Sequence, residues 1–70
     1  MNTRYTIVVD GRLDPRWAPE FGPLRLTTGV DGTTTLSGPV RDQSELHGHI
    51  RRIEDLGLRL VSVDRAGGTR

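Results

Sequence analysis

Apolar and polar residues alternate from the start of the chain. In Arg4-Tyr5-Thr6-Ile7-Val8-Val9-Asp10, Tyr5, Ile7 and Val9 share one face, and Arg4, Thr6, Val8 and Asp10 share the other. That period of two predicts a half-buried strand, ended by Gly11. Asp14-Pro15 then reads as an N-cap followed by proline at the first helical position. Pro19 cannot donate a backbone hydrogen bond, so the element must be short, and Gly22-Pro23 closes it. A helical turn or 3₁₀ element between Pro15 and Phe21 is expected, packed down by the rings of Trp17 and Phe21.

Leu24-Arg25-Leu26-Thr27-Thr28 alternates again, with Leu24, Leu26 and Thr28 facing in. Asp31-Gly32 predicts a two-residue hairpin, because glycine accepts positive φ and aspartate tolerates it. The return strand runs from Thr33 to Val40, with Thr34, Leu36 and Val40 on one face, and Gly38-Pro39 marks its end. The threonine run suits a strand because the side chains are β-branched.

The next element carries signals at both ends. Asp42 caps a helix, and Glu45 three residues later completes an aspartate form of the capping box. Leu46, Ile50, Ile53 and Leu56 fall in one stripe roughly 120° wide at helical spacing. Gly57 lies where a left-handed residue is needed, and Leu58 follows as the apolar residue of a Schellman ending. The helix is predicted from Gln43 to Leu56. The last strand, Leu58 to Asp64, carries Leu58 and Leu60 on one face and Val61 and Val63 on the other. A strand apolar on both faces is expected to be central or to lie under a partner.

The order is strand, short helical turn, strand, strand, helix, strand. It fits an α+β fold: a four-stranded antiparallel, ferredoxin-like sheet (βαββαβ with a reduced first helix, order 4-1-3-2) and one main helix on one face. The alternative is a three-strand meander followed by a helix and a fourth strand. One domain is expected over residues 1–65, with 66–70 as a flexible tail.

Composition adds three constraints. The chain has 70 residues, no cysteine, and 18 Leu, Ile, Val and Phe. A core this small usually needs support, and without disulfides or thiolate-bound metal the common remaining device is self-association. All ten basic residues are arginine, but the net charge is only +1. That argues against a nucleic-acid surface built from Arg16, Arg51, Arg52 and Arg59. No apolar run approaches about 18 residues, so no membrane span is expected. Met1-Asn2-Thr3-Arg4 lacks the apolar core of an export signal, so the cytoplasm is the expected compartment.

Candidate chemistry is sparse. His47 and His49 point about 200° apart on a helix and cannot share one metal. His49 borders the apolar stripe and His47 faces solvent. The carboxylates serve as caps and turn residues or lie exposed, except Glu20, to which no role falls. No serine sits in a nucleophile elbow. No catalytic, cofactor-binding or metal-binding residue is therefore assigned, and no cofactor is expected. Two oddities remain. Gly48 lies in mid-helix, where it costs about 1 kcal/mol relative to alanine, and Trp17 is the largest apolar side chain in a chain with three aromatic rings.

The segments Leu13-Asp14-Pro15-Arg16-Trp17, Asp31 to Gln43, Leu46-His47-Gly48 and Ile53-Glu54-Asp55-Leu56-Gly57-Leu58 resemble a family of short uncharacterised bacterial proteins of about this length. That resemblance implies no activity, cofactor or site residue. Residues Gly32 to Val63 also resemble the strand–strand–helix–strand half of BON domains, a family associated with envelope and membrane contacts.

The expected role is a non-enzymatic protein-interaction or homodimerisation module, with itself or another protein as partner. Its interface candidates are Trp17, Phe21, Gly48, His49, Arg52, Val61 and Val63. The alternative is a small-ligand-binding or catalytic site in a dimer cleft lined by His49, Arg52 and Trp17.

Overall fold

A computed structural model describes residues 3–66 of the chain. Its elements are strand β1 (Thr3–Asp10), a 3₁₀ helix (Pro15–Phe21), β2 (Arg25–Thr28), β3 (Thr33–Val40), helix α1 (Gln43–Asp55) and β4 (Arg59–Ala66). The strands form one antiparallel sheet of order β2-β3-β1-β4. β1 pairs with β3 and β4 rather than with β2, so the strands are not a meander. The expected tail is displaced, because β4 runs on to Ala66; residues 67–70 lie outside the described part.

One face of the sheet carries the core. Tyr5, Ile7 and Val9 from β1, and Leu36 and Val40 from β3, cluster with Leu46 and Ile53 of α1, Phe21 of the 3₁₀ helix, and Leu13 and Leu24. Ile7, Val9, Leu36, Phe21 and Ile53 are all 0 % exposed. Alternation on β1 and β3 meets the α1 stripe here, as the two periodicities require.

The ends of α1 are built from local chemistry. The Asp42 side chain accepts the Glu45 amide at 2.9 Å, and Glu45 Oε1 accepts the Arg41 amide at 2.7 Å. The reciprocal bond of the box thus reaches one residue further back than the cap itself. At the other end Gly57 has φ 80°, the Leu58 amide donates to the Ile53 carbonyl at 3.1 Å, and the Gly57 amide to that of Glu54 at 3.0 Å. Those two bonds are the Schellman pattern.

Four local expectations are corrected. The β2–β3 loop has three residues, Val30, Asp31 and Gly32, because the Gly29 amide donates to the Thr33 carbonyl in register with the strands. Only Gly32 takes positive φ, and Asp31 instead accepts the Thr33 amide at 3.2 Å and hydroxyl at 2.7 Å. This is the three-residue hairpin with a left-handed glycine. Second, β3 passes through Gly38-Pro39 instead of ending there. β2 reaches only as far as Ser37, so beyond it one side of β3 has no strand neighbour, and a residue without an amide hydrogen is tolerated. Gly38 is needed for another reason: a Cβ there would stand 3.1 Å from the Pro23 carbonyl oxygen.

Third, β4 is neither central nor doubly buried. It is an edge strand paired only with β1, and the register shifts between Val8 and Val9, so that Val8 faces Ser62 and Val9 faces Leu60. Val61 is the extra residue of a β-bulge. The bulge breaks the alternation that placed Val61 and Val63 on one face. Val63 packs against the core, while Leu60 is 37 % and Val61 56 % exposed. Fourth, Trp17 and Phe21 do not pack down together. At about three residues per turn, positions four apart on a 3₁₀ helix diverge by roughly 120°; Phe21 is buried and Trp17 is 36 % exposed.

Thr34 ties the connection after β1 to the sheet. It is 0 % exposed, and its hydroxyl donates to the Gly11 carbonyl at 2.8 Å and accepts the Leu13 amide at 3.1 Å. Replacing Thr34 with Val keeps the shape but orphans both backbone groups. The expected loss is about 1–3 kcal/mol, read as a lower urea midpoint at unchanged slope; an unchanged midpoint contradicts this role.

Candidate functional site

The sequence candidates fall in three places. Phe21 and His49 are inside the protein. Phe21 is fully buried and His49 is 8 % exposed, with their ring centroids 5.8 Å apart. Neither can serve as a surface contact, and Val63 is likewise drawn toward the core. The reason is shared: the 3₁₀ geometry turns Phe21 under α1, where His49 meets it on the helix's inward face. Arg52 lies one turn further on, and its guanidinium pairs with Glu20 at 2.7 Å. The residue next to Phe21 and the residue one turn beyond His49 thus close the rim over the buried ring pair. Glu20, which had no role in the sequence, and Arg52, read as an interface residue, fasten the 3₁₀ helix to α1. Both side chains are about half exposed, so the pair contributes at most about 1 kcal/mol.

Trp17, Gly48 and Val61 remain at the surface. A Cβ on Gly48 would meet nothing within 4 Å, so among the described residues no contact demands a glycine there. Ser44, His47, Gly48 and Arg51 line a shallow concavity of about 340 Å³ on α1. A second, of about 500 Å³, is lined by Arg12, Leu13, Asp14, Pro15 and Thr28 at the start of the 3₁₀ helix. Neither is lined by His49, Arg52 or Trp17. Among the described residues no group of three or more His, Asp or Glu could hold a metal ion, and no helix is long and apolar enough to cross a membrane.

What sequence reasoning missed is how the second face of the sheet is aligned across its strands. Cross-strand pairing places Arg25, Ser37, Thr6 and Asp64 in one row and Thr27, Thr35, Val8 and Ser62 in the next. Arg4 and Pro39 lie beyond one end of these rows, and Thr33, Asp10 and Arg59 beyond the other. The middle is short and uncharged, and the charges stand at the perimeter. Alternation alone could have named the residues of each strand, but not their alignment across strands.

A family described as Domain of unknown function (DUF8691) matches residues 4–64. The chain belongs to this family. The matched segment takes in all or most of every element of the fold and reaches both faces of the sheet. No curated protein and no solved structure matches the chain.

His49 is the group with the clearest electrostatic consequence. Burial pushes its imidazole below the ordinary value, Arg52 adds to that, and the Glu45 carboxylate opposes it. Its Nε2 is buried without a hydrogen-bond partner. Charging it in place therefore costs more than charging it in the unfolded chain. The unfolded state binds the extra proton, so stability is full above the ordinary imidazole range and falls as pH drops through it. Urea denaturation across that range should show the loss, and His49→Leu should flatten it. A wild-type slope retained in His49→Leu contradicts the assignment.

Proposed function

We propose that this chain is a non-enzymatic interaction module that works as a homodimer, with a ferredoxin-like architecture whose first helix is reduced to 3₁₀. The observation that carries this reading is the one-sided cover of the sheet. α1 and the 3₁₀ helix occupy one face, and four strands' worth of surface remains on the other. A second copy is the partner that a small, cysteine-free core most commonly recruits.

Of the exposed apolar side chains, Val61 lies at the bulge of the edge strand β4, whereas Leu60, opposite the buried Val9, and Trp17, on the 3₁₀ helix, are on the covered side. Edge strands are usually blunted against pairing, and the bulge at Val61 does so here. The other edge strand, β2, has only four residues, which leaves the sheet's face as the larger surface for association.

The cleft reading has less support, since His49 is spent on the core and Arg52 on Glu20. The cytoplasm remains the proposed compartment. Light scattering over a dilution series from micromolar to millimolar chain tests the proposal. The expected result is a molar mass rising from that of one 7.8 kDa chain toward twice that value. A single-chain mass across the whole range rejects the homodimer.

A further inference from the structure

We infer that two copies pack sheet to sheet through the open face, about a two-fold axis that runs parallel to the strands between β3 and β1. The inference rests on the homodimer proposed above and names its surface and symmetry.

The first support is the distribution of charge. The two central strands carry Thr6 and Val8 on β1 and Thr35 and Ser37 on β3, and the flanking positions of the second row are Thr27 and Ser62. A solvated sheet face has no need to keep its centre free of long charged side chains. A face that meets another sheet does, because charges are depleted from the centre of an interface and kept at its rim. Short β-branched side chains also suit two sheets stacked at about 10 Å.

The second support is self-complementarity. Arg25 on β2 and Asp64 on β4 occupy opposite ends of the same row, joined through Ser37 and Thr6. Three strand spacings of about 4.8 Å put them roughly 14 Å apart, too far to pair within one chain. Both are exposed, and among the described residues neither makes an ion pair. A two-fold axis parallel to the strands reverses strand order but keeps each row. It therefore lays Arg25 over Asp64 of the second copy and Asp64 over its Arg25. The same operation sets β3 against the other copy's β1, so Ser37 and Thr35 meet Thr6 and Val8. An isologous interface requires this reciprocity.

The size of the face sets the strength. Four strands at about 4.8 Å spacing make a patch near the lower end of specific interfaces, so association should depend on concentration and weaken with salt.

The test uses charge reversal at the two rim positions, where substitution leaves the core untouched. R25D places two carboxylates together twice in the homodimer, and D64R does the same with two guanidinium groups. Each should weaken self-association roughly tenfold or more while circular dichroism stays unchanged. Mixing the two variants restores both opposite-charge contacts in a heterodimer, and the double variant R25D/D64R restores them in a homodimer. Sedimentation velocity on the four samples should therefore show loss, loss, recovery and recovery. A wild type that dimerises, with single variants that dimerise equally well, overturns this interface and leaves the homodimer standing. Loss in the single variants without recovery in either the mixture or the double variant overturns the two-fold arrangement. A wild type that stays single over the whole range overturns this inference and the homodimer together.

Discussion

A four-stranded sheet has two faces, and the described residues offer one α-helix and seven residues of 3₁₀ helix with which to cover them. Both go to the same side. The 3₁₀ helix can stand beside a full helix only because Phe21 enters the core and rests against His49. The short element is held down by one ring, a cap from Asp14 to the Arg16 amide, and the Glu20–Arg52 pair above the ring. The cost is an imidazole with a buried Nε2 that has no partner.

The same economy explains where the chain spends its other specialised residues. Thr34 places a hydroxyl in the core to satisfy two backbone groups of the connection leading to the 3₁₀ helix. Gly38 lets the segment leaving that helix press against β3. Gly57 turns the chain out of α1 so that β4 can return beside β1. Each serves the covered face, and none of them reaches the open one. Apart from Thr33, which holds the hairpin through Asp31, the described residues of the open face make no side-chain hydrogen bond or ion pair within the chain.

The sequence was most legible where structure is set within a few residues. Asp42, Glu45 and Gly57 announced both ends of α1, and Asp14-Pro15 announced the 3₁₀ helix, because caps and proline act locally. It was least legible where a neighbour decides. The bulge at Val61 exists only in pairing with β1, so counting alternate residues placed Val61 and Val63 together and made β4 look doubly buried. Trp17 and Phe21 parted because the period of a 3₁₀ helix differs from that of an α-helix. Asp31-Gly32 signalled a hairpin but not its loop length, which depended on whether Asp31 or only Gly32 takes positive φ. Of the surface candidates, Trp17, Gly48 and Val61 stayed outside, whereas Phe21 and His49 were absorbed by each other. The row of Arg25 and Asp64 could not be seen until the strand register was known.

The uncovered face is where we propose that a second copy binds, and amide NMR spectra over a concentration series read this out residue by residue. Shifts should grow with concentration and concentrate at Thr6, Val8, Thr35, Ser37 and Ser62, with α1 unaffected. Shifts confined to the outer side of α1 around Ser44, His47, Gly48 and Arg51, or no shifts up to millimolar chain, would contradict it.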